Sequence, residues 1–474
     1  MTPQRTAPAV ATAADPRRRG LLFVLAGNML IDALEVSTQI VAMPSIGTDL
    51  DLPLTAVQWM MSGFAIGFGG FMLAGGRLVA LLGRRRVYLA GLIGFAAASV
   101  LAGLTSDLTL LVATRVVKGC CAALTAPTGL AIITTAFKEG RERSRAVSVY
   151  TLFGASGFTV GLLLSGLLTP VSWRWTMVFP APVVMVLFAF ALRLVPDSEK
   201  EAGRRGVDVA AAVPFTGGLL ALTGAVVSVP GRGWGDPRVG GCLVSAAVLL
   251  AAFVAVGRAA PRPLVAGAVL RNGAVVRSAL GAAALNGSYL GLLFVATFQL
   301  HSTPGWTPLR TGLAFLPASV PLAVTALSSG RMVRRYGPPR LIVLGTLSTV
   351  VGYALYPRGT APVRYATGVL PTMLLVGAGF VFAFAALNTQ AASDLPPGER
   401  AAASGTFQTA VQTGAAVMLA LVAALCAPGG GPAPAQYSRA LSLVTAVGGF
   451  GLLVALTGLL PSRTALRDEK PRTG

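Results

Sequence analysis

Between the basic cluster Arg17–Arg19 and Pro461, hydrophobic residues fall in runs of about 20, the length a helix needs to cross a hydrocarbon core about 30 Å thick. The breaks are short and collect Gly and Pro, as helix ends do. The pattern predicts fourteen spans: 21–43, 54–76, 87–105, 108–136, 146–169, 174–195, 208–229, 239–257, 275–300, 309–332, 340–357, 363–392, 401–426 and 439–461. No segment between runs is long enough to fold alone. The fold class is therefore an all-α polytopic membrane protein. The first run starts at Gly20 and lacks a small-residue cleavage site at its end, so it reads as an uncleaved span and not a signal peptide.

Composition agrees, and charge adds orientation. Of 474 residues, 54% are hydrophobic and 12% charged, against about 25% charged in soluble proteins. The net charge of +21 would suit nucleic acid, but its placement argues otherwise. Basic residues cluster in alternate breaks: Arg17–Arg19, Arg84–Arg86, Lys138 with Arg141, Arg143 and Arg145, Lys200 with Arg204 and Arg205, Arg258 with Arg262 and Arg271, and Arg331 with Arg334, Arg335 and Arg340. The other breaks hold single arginines such as Arg174, Arg232 and Arg310. Positive loops stay inside, so an even number of spans with both termini cytoplasmic is expected, and no nucleic-acid partner. Four cysteines have no metal-ligand spacing. No nucleophile motif and no ATP-binding loop of the G-x-x-x-x-G-K-[ST] type occurs. The chain is not expected to be an enzyme or to hold a cofactor.

The chain echoes itself. "GRLVALLGRRRVYLAG" (Gly76 to Gly91) and "GRMVRRYGPPRLIVLG" (Gly330 to Gly345) both set Gly-Arg at the end of one span, a second Gly further on and a basic entry to the next. Two six-helix bundles with two extra spans between them fit this duplication. The expected division is a cytoplasmic tail 1–20, a bundle 21–195, a linker with two extra spans 196–272, a bundle 273–461 and a cytoplasmic tail 462–474.

On these motifs the sequence resembles the major facilitator superfamily, specifically its fourteen-span drug:proton antiporter family, over roughly residues 20–460. "VAMPSI" (Val41 to Ile46) resembles the end of the first-span motif, whose acid position is Glu35 here. The loop motif between spans two and three is matched by Gly76, Gly83 and Arg84–Arg86. "RVVKG" (Arg115 to Gly119) with Ala126 and Pro127 resembles the fourth-span motif. "GASGFTVGLLLSGLL", with Gly154, Gly157, Gly161 and Gly166, resembles the fifth-span antiporter motif. "WRW", "GWGDP" and "APRPLV" match later landmarks. The chain departs at Ala80, where Asp is usual, at Leu81, usually basic, at Lys118, usually Gln, and at Thr159 and Val160, where Gly-Pro is common. With the loop Asp missing, Glu139 and Glu142 are the expected partners of the loop arginines.

Ionisable groups at membrane depth are costly and mark function. Asp32 and Glu35 are the deep acids, and at i,i+3 they share a face of span one. At 1.5 Å per residue, Arg115 on antiparallel span four lies at the depth of Glu35, and Lys118 at that of Asp32. The superfamily fold sets these spans side by side, so two pairs are expected, Asp32 with Lys118 and Glu35 with Arg115. Either acid can be the proton carrier. Asn286, Gln299, Asn388, Gln408 and Gln412 are the polar candidates for a substrate cavity, with interhelical bonding as the other role open to each.

The resemblance implies a multidrug or antibiotic-resistance exporter of small amphipathic compounds. It would work in exchange for protons, with the gradient as its energy source. A basic chain rich in Ala, Gly, Arg and Pro suits a bacterium of high genomic GC; the expected location is the bacterial plasma membrane, with lipid, protons and a small-molecule substrate as partners and a monomeric state. Two alternatives stay open: a proton-coupled uptake permease or facilitator, and a membrane sensor or scaffold that kept the fold without transporting.

Overall fold

The computed structural model describes residues 16–197, 212–259, 269, 271–358, 364–393, 395–427 and 433–459; of the predicted tails, 1–15 and 462–474 lie outside the described residues, and 16–20 already belong to the first helix. The described chain is helical throughout. In order the helices are α1 (Pro16–Asp49), α2 (Leu54–Val57), α3 (Trp59–Leu82), α4 (Arg84–Leu104), α5 (Leu108–Ala136), α6 (Arg141–Leu168), α7 (Trp173–Val178), α8 (Pro180–Leu194), α9 (Ala212–Arg232) and α10 (Pro237–Ala259). They continue as α11 (Gly273–His301), α12 (Pro308–Ala314), α13 (Leu316–Thr325), α14 (Ser329–Tyr336), α15 (Pro338–Leu355), α16 (Leu370–Ser393), α17 (Pro397–Cys426) and α18 (Ala433–Thr457). Among the described residues, twelve helices are long and apolar enough to cross a membrane. Large apolar side chains such as Phe190, Val244 and Leu453 stand exposed on their outer faces, where lipid and not water is the suitable solvent.

The run 174–195 is divided into α7 and α8 before Pro180. The run 309–332 is not one helix but α12, α13 and α14 in succession. Pro317 cannot donate to the turn before it and crowds its carbonyls, so the run breaks at Phe315; a second break follows Thr325, four residues past Pro321. Proline also shapes the entry to α16. A single π turn, Tyr365–Val369, precedes Pro371, which has no N–H to give.

The internal echo is built into the backbone. Gly83 and Gly337 end their helices with nearly the same torsions, φ 87 ψ 147 and φ 78 ψ 147. Each N–H closes on a valine carbonyl, Val79 at 2.9 Å and Val333 at 3.0 Å. Positive φ is why glycine stands there. The same number of residues separates Gly76 from Gly330, Gly83 from Gly337 and Gly91 from Gly345. Carried along α1 and α11, that spacing matches Asp32 with Asn286 and Glu35 with Tyr289, so the second half has no counterpart to the buried acids. Packing repeats too: α1 lies on α6 and α4 on α5, as α11 lies on α17 and α15 on α16. Helix α9 rests against α3 and α17, and α10 packs on α9.

The halves meet at one end. A single apolar cluster joins Ile40, Met43, Met61 and Leu162 of the first half to Leu293, Phe294 and Leu419 of the second. There α6 and α12 approach through glycines: a Cβ on Gly166 would lie 2.9 Å from the Leu309 Cα, and one on Gly312 would lie 2.6 Å from the Leu162 carbonyl oxygen. Nearer the middle, Thr409 Oγ1 donates to the Gly69 carbonyl at 3.3 Å. At the opposite end, by the start of α1, Leu21, Leu25, Phe137 and Ala146 belong to a separate cluster. No described residue of the second half is part of it.

Candidate functional site: a buried ionic cluster in the first half

One face of α1 is polar for three turns. Asn28, Asp32, Glu35 and Gln39 follow each other at steps of four, three and four, so they line up along the helix. All four are buried. The neighbouring face carries Leu30, Ala33, Leu34 and Ser37, and there α6 comes close. A Cβ on Gly157 would lie 2.4 Å from the Leu30 carbonyl oxygen, and one on Gly161 would lie 2.0 Å from Ser37 Oγ. Gly154 meets the side chain of Met29. Three of the four fifth-span motif glycines thus clamp α1 to α6, assisted by Ser165 Oγ donating to the Thr38 carbonyl at 2.7 Å. Small residues allow this approach. It fixes the rotation of α1 and turns the polar stripe toward α5.

Glu35 is the centre of the site and is fully buried. Arg115 Nη1 donates to Glu35 Oε2, and Lys118 Nζ donates to Glu35 Oε1. Arg115 is held further. Its Nε donates to the Met60 carbonyl at 2.6 Å, its Nη2 to the Glu35 carbonyl at 3.3 Å, and its guanidinium lies 5.0 Å from the Phe64 ring centre. The Lys118 ammonium stands 4.9 Å from the Phe95 ring centre. Aromatic faces stabilise desolvated cations.

The expected pair Asp32–Lys118 does not form; Lys118 goes to Glu35. Asp32 instead accepts from Asn28 Nδ2 at 3.0 Å and from Thr125 Oγ1 at 3.2 Å. No cation bonds to it among the described residues. Side-chain direction explains the difference. Side chains lean toward the N-terminus of their own helix. On antiparallel α1 and α5 these leans oppose each other. Lys118 is carried toward the N-terminal end of α5 and so to Glu35, while Asp32 is carried toward the N-terminal end of α1 and so to Thr125, two turns further along α5. Matching depths at Cα ignored that shear. Asn28 was legible as the i−4 neighbour of Asp32; Thr125 had no comparable signal.

The basic loop also chooses other partners than expected. Arg85 donates to Asp197 Oδ1 at 2.5 Å and to the Leu192 carbonyl at 2.6 Å, and Arg84 donates to Thr135 Oγ1 at 3.2 Å. Arg86 is exposed. Glu139 instead pairs with Arg143, one turn along the chain, and Glu142 with Arg18 at the start of α1. The i,i+4 spacing favours the first pair. The second follows from α6 lying along α1. Gly76 sits in α3, but it and the side chain of Ala80 lie outside the described residues. The fourth motif glycine, Gly166, faces α12 and not α1.

The polar candidates of the second half are dispersed. Asn286 Nδ2 donates to the Val411 carbonyl of α17 at 3.1 Å, an interhelical bond. Gln412 packs by its Cβ against Gly69 of α3. Gln299 is buried near the end of α11, Gln408 is half-buried and Asn388 is exposed.

Among the described residues the buried acids and bases lie on α1 and α5, and comparison with known proteins decides the family. The model of the Major Facilitator Superfamily matches residues 25–419. The chain belongs to that superfamily. The transporter is 33% identical to the puromycin resistance protein of Streptomyces alboniger, over 96% of this chain and 94% of that one. It is 30% identical to the cephamycin export protein of Amycolatopsis lactamdurans, over 93% of this chain and 92% of that one. It is also 30% identical to the lincomycin resistance protein of Streptomyces lincolnensis, over 99% and 96%. Among solved structures, the POT family transporter PepTSo superposes with a TM-score of 0.68 at 15% identity, covering 95% of this chain and 99% of that one. A nucleoside transporter superposes with a TM-score of 0.65 at 13% identity, covering 93% and 99%. These two share the fold. Membership makes the protein a transporter of small molecules and not an enzyme, as expected.

Proposed function

We propose that the transporter exports small amphipathic organic compounds, of the antibiotic or natural-product kind, across a bacterial cytoplasmic membrane in exchange for protons. Asp32 is the proton carrier. The observation that carries this reading is the unequal treatment of the two acids. Glu35 is neutralised twice over by Arg115 and Lys118, whereas Asp32 has only neutral donors. With Asp32 ionised the four side chains are neutral together, and with Asp32 protonated they hold one net positive charge. Uptake and loss of a proton therefore change the charge of a buried cluster, which can bias a two-state protein. Relatives named for resistance and export, alike over nearly their whole lengths, support the outward direction.

The remaining topology follows the same reading. Fourteen spans comprise the twelve long helices together with α3 and the proline-broken run α12–α14. They form two bundles, 21–195 and 273–461, with α9 and α10 in the linker 196–272 between them. With both termini cytoplasmic, the apolar cluster that joins the halves lies on the outer side, and the separated ends face the cytoplasm. This is an inward-facing state from which rocking of the halves would give alternating access. Reporter fusions at the N-terminus and after Gly474 are both expected to read as cytoplasmic, and an external signal from either would break the even span count.

The transport reading is tested in inside-out vesicles. Puromycin, lincomycin and cephamycin are each expected to be tried for accumulation on an inward-acid pH gradient. Accumulation that stops when the gradient is collapsed supports the reading. Accumulation of any of them that persists without a proton-motive force would exclude proton coupling.

A further inference from the structure

Inside the first half, α1 and α4 each pack on α5, and contacts with α5 fix the layers. One layer holds Asp32 with Thr125, where a Cβ on Gly91 would lie 2.6 Å from the Thr125 methyl. The next layer outward holds Glu35, Lys118 and Phe95. Two turns further out, Ala42, Ala102 and Leu111 share an apolar cluster with Met60 and Trp173. Between these last two layers the helical step leaves one place on α1 and one on α4. They are filled by Gln39 and Ser99. One turn inward of Asp32 the same step brings Tyr88 of α4 level with Thr128 of α5.

This column contains polar atoms with no protein partner. They are both amide atoms of Gln39, Ser99 Oγ, Asp32 Oδ1, Tyr88 OH and Thr128 Oγ1. Gln39, Ser99 and Tyr88 are 0% exposed, Thr128 2% and Asp32 5%. An unpartnered buried polar group costs about 1–3 kcal/mol, and natural interiors rarely keep several together. Ordered water relieves such groups where two to four polar atoms surround one position. Apolar neighbours close the column outward at Ala42, Met60 and Leu111, beyond which Trp173 Nε1 donates to Asp49 Oδ2 at 2.8 Å.

We propose that the interior of the first half holds a file of ordered water from Tyr88 to Gln39, and that protons reach and leave Asp32 through it, apart from the compound's route between the halves. The water-binding groups are Tyr88, Thr128, Asp32, Ser99 and Gln39. The proton moves along the water hydrogen bonds and is held at Asp32, with no other group oxidised or reduced. The proton part of this inference rests on the coupling reading above; the water part does not.

The test has two arms on the full-length protein. In the first, the purified transporter is exposed to a brief X-ray pulse, which makes hydroxyl radicals from bound water, and oxidation is mapped by mass spectrometry. Tyr88 and Phe95 are expected to be oxidised at least about fivefold faster than Phe294 and Phe315, which are as buried as Tyr88 but lie in the apolar cluster between the halves. Equal slow rates would overturn the proposal, and this measurement needs no variant to fold. In the second arm, Gln39→Leu and Ser99→Ala, alone and together, are compared in vesicles with puromycin as the probe. Proton-driven accumulation is expected to fall while puromycin exchange without a gradient is kept. Both activities unchanged, or both lost equally in folded protein, would overturn the route. Asp32→Asn serves as the control. If that variant keeps proton-driven accumulation, the coupling reading fails, and the labelling result still decides the water.

Discussion

Glu35→Gln is expected to leave little folded transporter. Its carboxylate is the acceptor for both Arg115 and Lys118, and all three groups are at 0% exposure. Breaking one buried pair costs about 3–5 kcal/mol because a charge is left without its counter-charge. Here two cations are stranded by one substitution. Thermal unfolding in detergent, or yield in the membrane, measures the loss. Second-site changes should rank in order. Lys118→Met in the Glu35→Gln background is expected to restore more protein than Arg115→Met does. Arg115 keeps its bonds to the Met60 and Glu35 carbonyls, while Lys118 keeps only the Phe95 face. The cycle across Glu35 and Lys118 should show coupling of about 0.5–3 kcal/mol, and the cycle across Asp32 and Lys118 should be close to additive. Full stability of Glu35→Gln, or coupling only in the second cycle, would contradict the placement of Lys118.

Asp32→Asn is expected to do the opposite: to fold, and to lose the coupled reaction. Asparagine is nearly isosteric, and its Oδ1 can accept from Asn28 and Thr125 as the carboxylate does. No cation is stranded, so stability should change by no more than about 1 kcal/mol, the scale of one altered hydrogen bond. Compound exchange between the two sides needs no net proton movement and should persist. Accumulation driven by a pH gradient should fall to the level seen without a gradient. A variant that still accumulates compound on a pH gradient would move the proton carrier elsewhere, Glu35 being the remaining deep acid.

The two substitutions separate roles that the sequence presented as equal. Asp32 and Glu35 are of one kind, three residues apart on one helix face, with two bases at matching depths opposite. Nothing in spacing alone divides a structural acid from a labile one. The division comes from the reach and direction of Lys118. A four-carbon stem spans a helical turn, and its lean selects which turn.

Much else was legible. Runs of apolar residues, the alternation of basic loops and the echo of "GRLVALLGRRRV" by "GRMVRRYGPPRL" follow from bilayer thickness, surface charge and duplication, all of which act on the chain locally or by simple counting. The fifth-span glycines were legible as small residues on a helix, and three of them do meet α1. The broken run at 309–332 was less so, because its hydropathy is that of a span while its prolines decide its geometry.

By itself the sequence determined that this is an all-helical membrane protein of the Major Facilitator Superfamily, with an echoed loop motif and its deep acids on span one. Those features depend on residue type and period, which one dimension records. Only the tertiary structure decided that Glu35 takes both cations, that Arg85 answers to Asp197 and not to Glu139 or Glu142, and that Gln39 and Ser99 are buried without bonding partners. Each of these depends on the rotation of one helix against another. Rotation is set by where glycines let backbones approach, a sum over many contacts that no single spacing carries.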